Sequence, residues 1–441
     1  MDNIKELLDQ LSLEEKAALC SGDTTWTTKE LERLDIPSVY MADGPHGLRK
    51  AEGIDLARSQ PATCFPTASG LGASWNTDLL ERIGAALGRE CQAHDVQLLL
   101  GPGINIKRSP LCGRNFEYFS EDPYLTGKLA VAFIRGLQGQ GVGACIKHFA
   151  ANNQEYERMT NNSVVDERSL HEIYFPAFEM AIREAQPWAV MCAYNRVNGI
   201  PAAENYWLLH TVLKKNWNFT GIVISDWGAV NDRPQGIEAG LHLEMPGSGG
   251  VNDQKIIEKV KEGKLKEERL DEIVGELLEF VLKAHESRRA EAAFDEEEHH
   301  QLACEAAGES IVLLQNEDEI LPLDGEEVKK IALIGGFARD PRYQGAGSSQ
   351  VNPLRLTNVH DALREQMGEE VKITSAPGYT KETTTNADLI AEAGKKAEEA
   401  DLAIIFAGLP DSYESEGFDR EHIDLPECHN RLIGEIARLQ P

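Results

Sequence analysis

The chain has 441 residues, too many for one ordinary core, so two domains are expected. Hydrophobic content of 41% and charged content of 27% describe a globular protein with a sizeable interior. A formal net charge of −29 repels phosphates, which argues against nucleic acid and anionic membranes as partners and favours a small neutral substrate.

The start, Met1-Asp2-Asn3-Ile4-Lys5-Glu6, has no basic region and no apolar region, so no signal peptide is expected. Short apolar runs at 38–42, 96–100, 142–146, 188–193, 221–225 and 241–245 read as strands. Amphipathic stretches at 78–92, 124–139, 168–185 and 204–216 read as the helices between them. The rhythm predicts βα units and a parallel sheet, and its count and length fit a (β/α)8 TIM-like barrel over residues 1–290.

Each strand is followed by a polar cluster. The first leads into Asp43-Gly44-Pro45-His46-Gly47-Leu48-Arg49, the second toward Gly113-Arg114-Asn115-Phe116-Glu117, the third into Lys147-His148-Phe149 and the fourth into Tyr194-Asn195. The fifth, Ile222-Val223-Ile224, runs straight into Ser225-Asp226-Trp227-Gly228. Mixed charges at the same end of successive strands converge on one mouth, where α/β proteins place their active sites. A lone strand-ending Asp is more often a helix cap, but Asp226 belongs to this whole set. Trp227 beside it offers a flat apolar wall.

Residues 253–285 are strongly helical, and the polar stretch 286–300 reads as an interdomain connection, with 291–300 as the linker. The run Glu296-Glu297-Glu298 fits a solvated helix start. A second α/β domain is expected over 301–441, with a helix at 299–309, strands at 311–314, 331–336 and 402–408, a helix at 387–399 and one more helix before Leu439-Gln440-Pro441. A doubly wound sheet would continue further, so this α/β sandwich is expected to be incomplete and the chain truncated. Gly335-Gly336 lacks the GxGxxG pattern of dinucleotide-binding oxidoreductases.

The eight cysteines are scattered, with no CxxC pair and no metal-like cluster. Several, such as Cys145 and Cys192, sit in apolar strand contexts and read as buried thiols, and reduced thiols suggest the cytoplasm. No apolar run is long enough to span a bilayer, no cofactor is implied, and a homo-oligomer is compatible with a sequence that does not fix the oligomeric state.

The loop after the strand at 402–408 mixes acids, aromatics and a glycine, with Glu414-Ser415-Glu416-Gly417-Phe418-Asp419-Arg420 at its centre. Alone it reads equally well as a solvated acidic loop. Paired with Asp226 it suggests the two carboxyl groups that glycoside hydrolysis requires.

The motifs starting at Asp43, Gly113, Lys147 (Lys147-His148-Phe149-Ala150-Ala151-Asn152-Asn153-Gln154-Glu155), Met191, Ser225 and Glu414 occur in the order found in glycoside hydrolase family 3. The chain resembles an exo-acting, retaining β-glucosidase of that family over nearly its whole length. The resemblance implies Asp226 as nucleophile and Glu416 as acid/base, with Glu414 the competitor. It implies that Asp43 accepts hydrogen bonds from two sugar hydroxyls, that Arg49, Arg114, Lys147 and His148 donate to others, and that Trp227 stacks on the ring. Met191 and Tyr194 would line the pocket, and Gly345-Ala346-Gly347-Ser348-Ser349 would lie over it. No metal is implied.

Plainer roles stand beside these. Arg49 can pair with Asp43, Arg114 with Glu117, and Asp419 with Arg420, and His148 can be a core histidine. Glu155 and its neighbours Asn152, Asn153 and Gln154 read as scaffolding. The alternatives in function are a β-xylosidase or another β-glycosidase of the family, and a catalytically impaired sugar-binding fragment. The β-N-acetylglucosaminidase branch is disfavoured, because the stretch from Lys147 lacks its glycine-histidine pattern.

Overall fold

The computed structural model describes residues 2–52, 55–381 and 384–440; Met1 and Pro441, named above, lie outside them. Five parallel strands, Met41–Asp43, Leu98–Leu100, Gly143–Phe149, Ala189–Cys192 and Ile222–Ile224, hydrogen-bond side by side in chain order. Alternation along each strand divides two apolar layers. Met41, Leu98, Leu100, Met191 and Ile224 join the cluster that includes the helix Glu267–Glu286. Ala42, Leu99, Val190 and Val223 join the cluster formed with the helices Thr77–Ala93 and Pro123–Gly139.

Caps fix where those two helices begin. Asn76 accepts from the Leu79 N–H and Asp122 from the Leu125 N–H. The stretch at 168–185 is helical, but as three pieces: Glu167–Ser169, the wider turn Leu170–Tyr174 and Pro176–Ala185.

Among the described residues the barrel closes with fewer regular strands than eight. Segment 241–245 forms isolated parallel bridges in place of a strand, the first from Leu243 to Ile224. Glu244 bridges to Ser21, Gly22 to Thr28, and Thr27 to Tyr40, which returns the ring to the first strand. Residues between Cys20 and Tyr40 thus do part of the work of the missing regular strands.

The helix Glu296–Ser310 begins inside the expected linker, N-capped by Asp295, and it packs on the barrel. His299 is buried 2.6 Å from Glu90, and Arg82 holds both oxygens of Glu305. The second domain has a three-stranded parallel sheet, with Lys330–Ile334 between Lys372–Ala376 and Leu402–Ile405. One face is covered by the helices Ala387–Glu398 and Glu427–Leu439, the other by Val359–Met367.

The strand expected at 311–314 does not form. Ile311, Val312, Leu313 and Leu314 are 60–92% exposed and pair with no strand among the described residues. β-branched, apolar composition favours a pleated surface, but a strand exists only where a neighbour supplies hydrogen bonds. Lys372–Ala376 takes the place beside the central strand instead. A short parallel pairing of Asn352-Pro353 with Pro61-Ala62 ties the second domain to the barrel.

Candidate active site

Asp43 is the last residue of its strand, Lys147 and His148 stand near the end of theirs, and Asp226 follows Ile224 by two residues. All therefore sit at the carboxyl end of the barrel. The loop 414–420 of the second domain comes down onto the same end. Between them lies a cavity of about 340 Å³, lower in the range of small-molecule sites and sized for one small ligand. Every sequence-predicted site residue lines it: Asp43, Arg49, Arg114, Lys147, His148, Met191, Tyr194, Asp226, Trp227 and Glu416.

Asp226 is 7% exposed. Its Oδ1 accepts from the Trp227 N–H at 2.7 Å, and its buried Oδ2 has no hydrogen-bond partner among the described residues. That oxygen stands 3.6 Å from His148 Nε2. Burial pushes the Asp226 carboxyl up, against the pull of Arg114 and Lys147.

His148 is held on its far side by the Tyr118 hydroxyl, 3.1 Å from Nδ1, and its backbone exchanges two hydrogen bonds with the Asn105 side chain. Burial first, then Arg114, Lys147 and Arg158, keep its pKa well below the usual histidine value. A neutral ring can donate one N–H into the cavity without adding charge. The backbone contacts expected of a core histidine are present, and the ring nonetheless faces the site.

Asp43 receives Arg49 Nη1 at 3.3 Å and has Lys147 Nζ at 3.8 Å. Its carboxyl is pushed up to about 6 by burial, with the two cations opposing. Both loose ion pairs leave the carboxylate able to accept further donors. Trp227 is fixed by its indole N–H donating to the Thr25 carbonyl at 3.0 Å, and its ring meets Trp26 at 5.4 Å. The Tyr194 hydroxyl donates to the Trp227 carbonyl at 3.1 Å.

Glu416 enters from the other domain. Its Oε2 accepts from the Ser348 N–H at 2.7 Å, and its Oε1 lies 2.9 Å from Arg158 Nη1 and 4.0 Å from Arg114 Nη1. Burial alone would raise its pKa; the two arginines and the Ser348 N–H override it and hold the carboxyl far below its usual range. Arg114 itself is fully buried and pairs closely with Glu117. Glu414 turns elsewhere, to Arg342 at 3.2 Å, and does not line the cavity.

Asp419 does not pair with Arg420. It accepts from the backbone N–H groups of Gly113, Glu155 and Tyr156, at 2.8 to 3.1 Å. The carboxylate thus fastens the second-domain loop to two barrel loops.

Sequence reasoning missed three contributors. Arg158 holds Glu416 and lies over the Tyr194 ring, 5.0 Å from its centroid. Its one signal was position, three residues after Glu155 in the loop that leaves the third strand. Ser348 supplies the N–H on Glu416, from within a glycine-serine turn that was expected over the site. Trp26 precedes the first strand and carried no motif.

Residues 10–280 match the glycosyl hydrolase family 3 N terminal domain, and residues 311–441 match the C-terminal domain of the same family. The chain is 56% identical over 443 residues to thermostable beta-glucosidase B of Acetivibrio thermocellus, covering 99% of this chain and 58% of that protein. It is 46% identical to an exo-alpha-(1->6)-L-arabinopyranosidase of Bifidobacterium longum, covering 97% of this chain and 58% of that one. Among solved structures, a family 3 beta-glucosidase of Bifidobacterium adolescentis superposes with a TM-score of 0.92 at 45% identity, covering 98% of this chain and 62% of that one. Beta-glucosidase 3B of Thermotoga neapolitana, in complex with alpha-D-glucose, superposes with a TM-score of 0.89 at 35% identity, covering 99% and 67%. The chain spans under two thirds of the length of the first curated relatives it matches. The two domain matches, in the order and at the places where the barrel and the sandwich lie, leave one assignment: the chain belongs to glycosyl hydrolase family 3.

Proposed function

We propose that this chain is a retaining exo-β-glycosidase that removes terminal β-D-glucosyl residues. The observation that carries the reading is that one carboxylate from the barrel, Asp226, and one from the second domain, Glu416, line a single cavity with donors suited to hydroxyls. Asp226 Oδ2 attacks the anomeric carbon while the bond to the leaving oxygen breaks, and a proton on Glu416 passes to that oxygen. In the second step Glu416, now a carboxylate, takes a proton from water as its oxygen adds to the anomeric carbon and Asp226 leaves. Asp43, with Arg49 and Lys147 beside it, binds hydroxyls on one side of the ring, His148 donates one N–H, and Trp227 supplies an apolar wall. An unpaired buried hydroxyl costs about 1–3 kcal/mol, so this set selects for sugar over water-filled alternatives.

The sugar-free site has Glu416 in the charge state of the second step. The first step needs it protonated, which requires that Arg158 release it once sugar is bound. Eight free thiols support a reducing, cytoplasmic setting. Among the described residues, no helix is long and apolar enough to cross a membrane.

The 46% identity to an arabinopyranosidase favours one second reading, an exo-acting enzyme on pyranosides that lack the sixth carbon, which also includes β-xylosides. Rates on phenyl β-glucoside, β-xyloside and α-L-arabinopyranoside separate the two. The main test is Asp226→Ala, which should lower turnover of the preferred glycoside by ~10⁴-fold or more. A near-normal rate in that variant overturns the reading, and glucose binding without turnover by the unmodified chain assigns it to sugar binding alone.

A further inference from the structure

Glu155 is buried, 2% exposed, in the loop that leaves the third barrel strand, and it touches nothing in the cavity. Burying a carboxylate is costly unless it is paired and hydrogen-bonded. Here burial pushes the Glu155 carboxyl up while Arg114, Arg158 and the Gly417 N–H pull it back. One oxygen, Oε2, does two things: it accepts from the Gly417 N–H at 2.8 Å and receives Arg158 Nη1 at 3.0 Å. Gly417 is the residue next to Glu416, and Arg158 Nη1 is the same atom that holds Glu416 Oε1 at 2.9 Å. A single barrel side chain therefore grips the backbone beside the second-domain carboxylate and shares its nearest cation.

The surroundings tighten this grip. The Glu155 N–H donates to Asp419, which also takes the N–H of Gly113. A Cβ on Gly113 would stand 1.8 Å from the Phe418 carbonyl, so the loop 415–418 sits directly on the barrel loop. Arg158 has two carboxylates within 3.0 Å, and Glu155 is the one that remains beside it if Glu416 is protonated.

We propose that Glu155 is a positioning residue for the acid/base: it anchors the Glu416 segment to the barrel through Gly417 and gives Arg158 an alternative seat, so that Glu416 is aimed at the leaving oxygen and freed to carry a proton. The inference rests on Glu416 being the acid/base, as proposed above. It predicts a defect that depends on the leaving group. A dinitrophenolate departs with little protonic help, whereas a phenolate needs the acid.

The test is kcat/KM on aryl β-glucosides from 2,4-dinitrophenyl to phenyl, for the unmodified chain, Glu155→Gln and Glu416→Gln. Glu416→Gln should lose ~10²–10⁴-fold on the phenyl glucoside and stay within about threefold on the dinitrophenyl glucoside. Glu155→Gln should show the same selectivity at smaller size, ~10–100-fold on phenyl. If Glu155→Gln lowers all substrates equally, or none, the positioning role is wrong. If Glu416→Gln itself lacks leaving-group dependence, the assignment of Glu416 fails instead. Circular dichroism and the melting temperature report whether each variant is folded, and Glu155→Asp, too short to reach Gly417, carries the same comparison if the Gln variant does not fold.

Discussion

Asp226 and Glu416 are tuned in opposite directions by what surrounds them. Asp226 has one backbone N–H and is buried, and burial outweighs Arg114 and Lys147 so that its proton is held more tightly than usual. Glu416 has two arginines and a backbone N–H, and its proton is held less tightly. On the proposed mechanism, the sugar-free site presents Asp226 and Asp43 ionised, the first to attack and the second to accept hydroxyl donors. Both are shifted upward, Asp43 to about 6, chiefly by burial. On 2,4-dinitrophenyl β-glucoside, whose departure needs little help from the Glu416 proton, kcat/KM should rise with pH through a midpoint near 6 and level above it, higher than the ~4 of ordinary carboxylates. An acid limb at or below ~4 in the pH profile contradicts these environments. Most of this site was legible in the sequence, because Asp43, Arg49, Lys147, His148, Tyr194 and Asp226 stand at or after the ends of apolar runs, and a parallel barrel gathers such positions at one mouth. Arg158 was not legible, because it lies well along a loop where no period ties it to a strand end; only folding brings it back to Glu416.

Among elements, the turn 345–349 shows how backbone shape fixes a side chain. Gly347 has φ +82°, and a Cβ there would stand 2.5 Å from Glu416 Oε2, the oxygen that takes the Ser348 N–H. Gly347→Ala therefore meets left-handed strain of about 1–2 kcal/mol and must also displace the Glu416 carboxylate. We expect kcat/KM on phenyl β-glucoside to fall ~10-fold or more with a small change in melting temperature, since the barrel core is untouched. An unchanged rate would show that Glu416 does not need this oxygen where the structure puts it. The sequence pointed to this turn through its glycines and serines, but not to the bond it makes. The same limit explains the strands. Ile311-Val312-Leu313-Leu314 looks more like a strand than Lys372-Ile373-Thr374-Ser375-Ala376, yet only the second has a partner, Lys330–Ile334, to complete its hydrogen bonds. Composition reports what a segment tolerates on a sheet; pairing depends on which neighbours the chain brings alongside. The segment 241–245 illustrates the intermediate case, a strand pattern reduced to single bridges where the ring closes through Ser21 and Glu244.

At the scale of the molecule, the site exists only where the two domains are docked. The barrel alone supplies Asp226 and the hydroxyl ligands; the sandwich alone supplies Glu416 and Ser348. Docking is held by the Asp419 carboxylate on three barrel N–H groups, by the pairing of Asn352-Pro353 with Pro61-Ala62, and by Arg420, whose N–H donates to the Leu111 carbonyl at 2.8 Å. The hydrophobic rhythm made the two-domain plan readable, but the contacts that join the domains are mostly between backbone and side chain at loops, which leave no periodic trace. Division of the two carboxylates between domains is the central claim, and a crystal structure of the chain reacted with 2,4-dinitrophenyl 2-deoxy-2-fluoro-β-glucoside tests it most directly. The account predicts a covalent bond from Asp226 to the anomeric carbon, with the Glu416 carboxyl about 5–5.5 Å from that of Asp226, the separation a retaining mechanism requires. A fluorosugar joined to another residue, or an unreacted sugar between carboxyl groups ~6.5–9.5 Å apart, would contradict it.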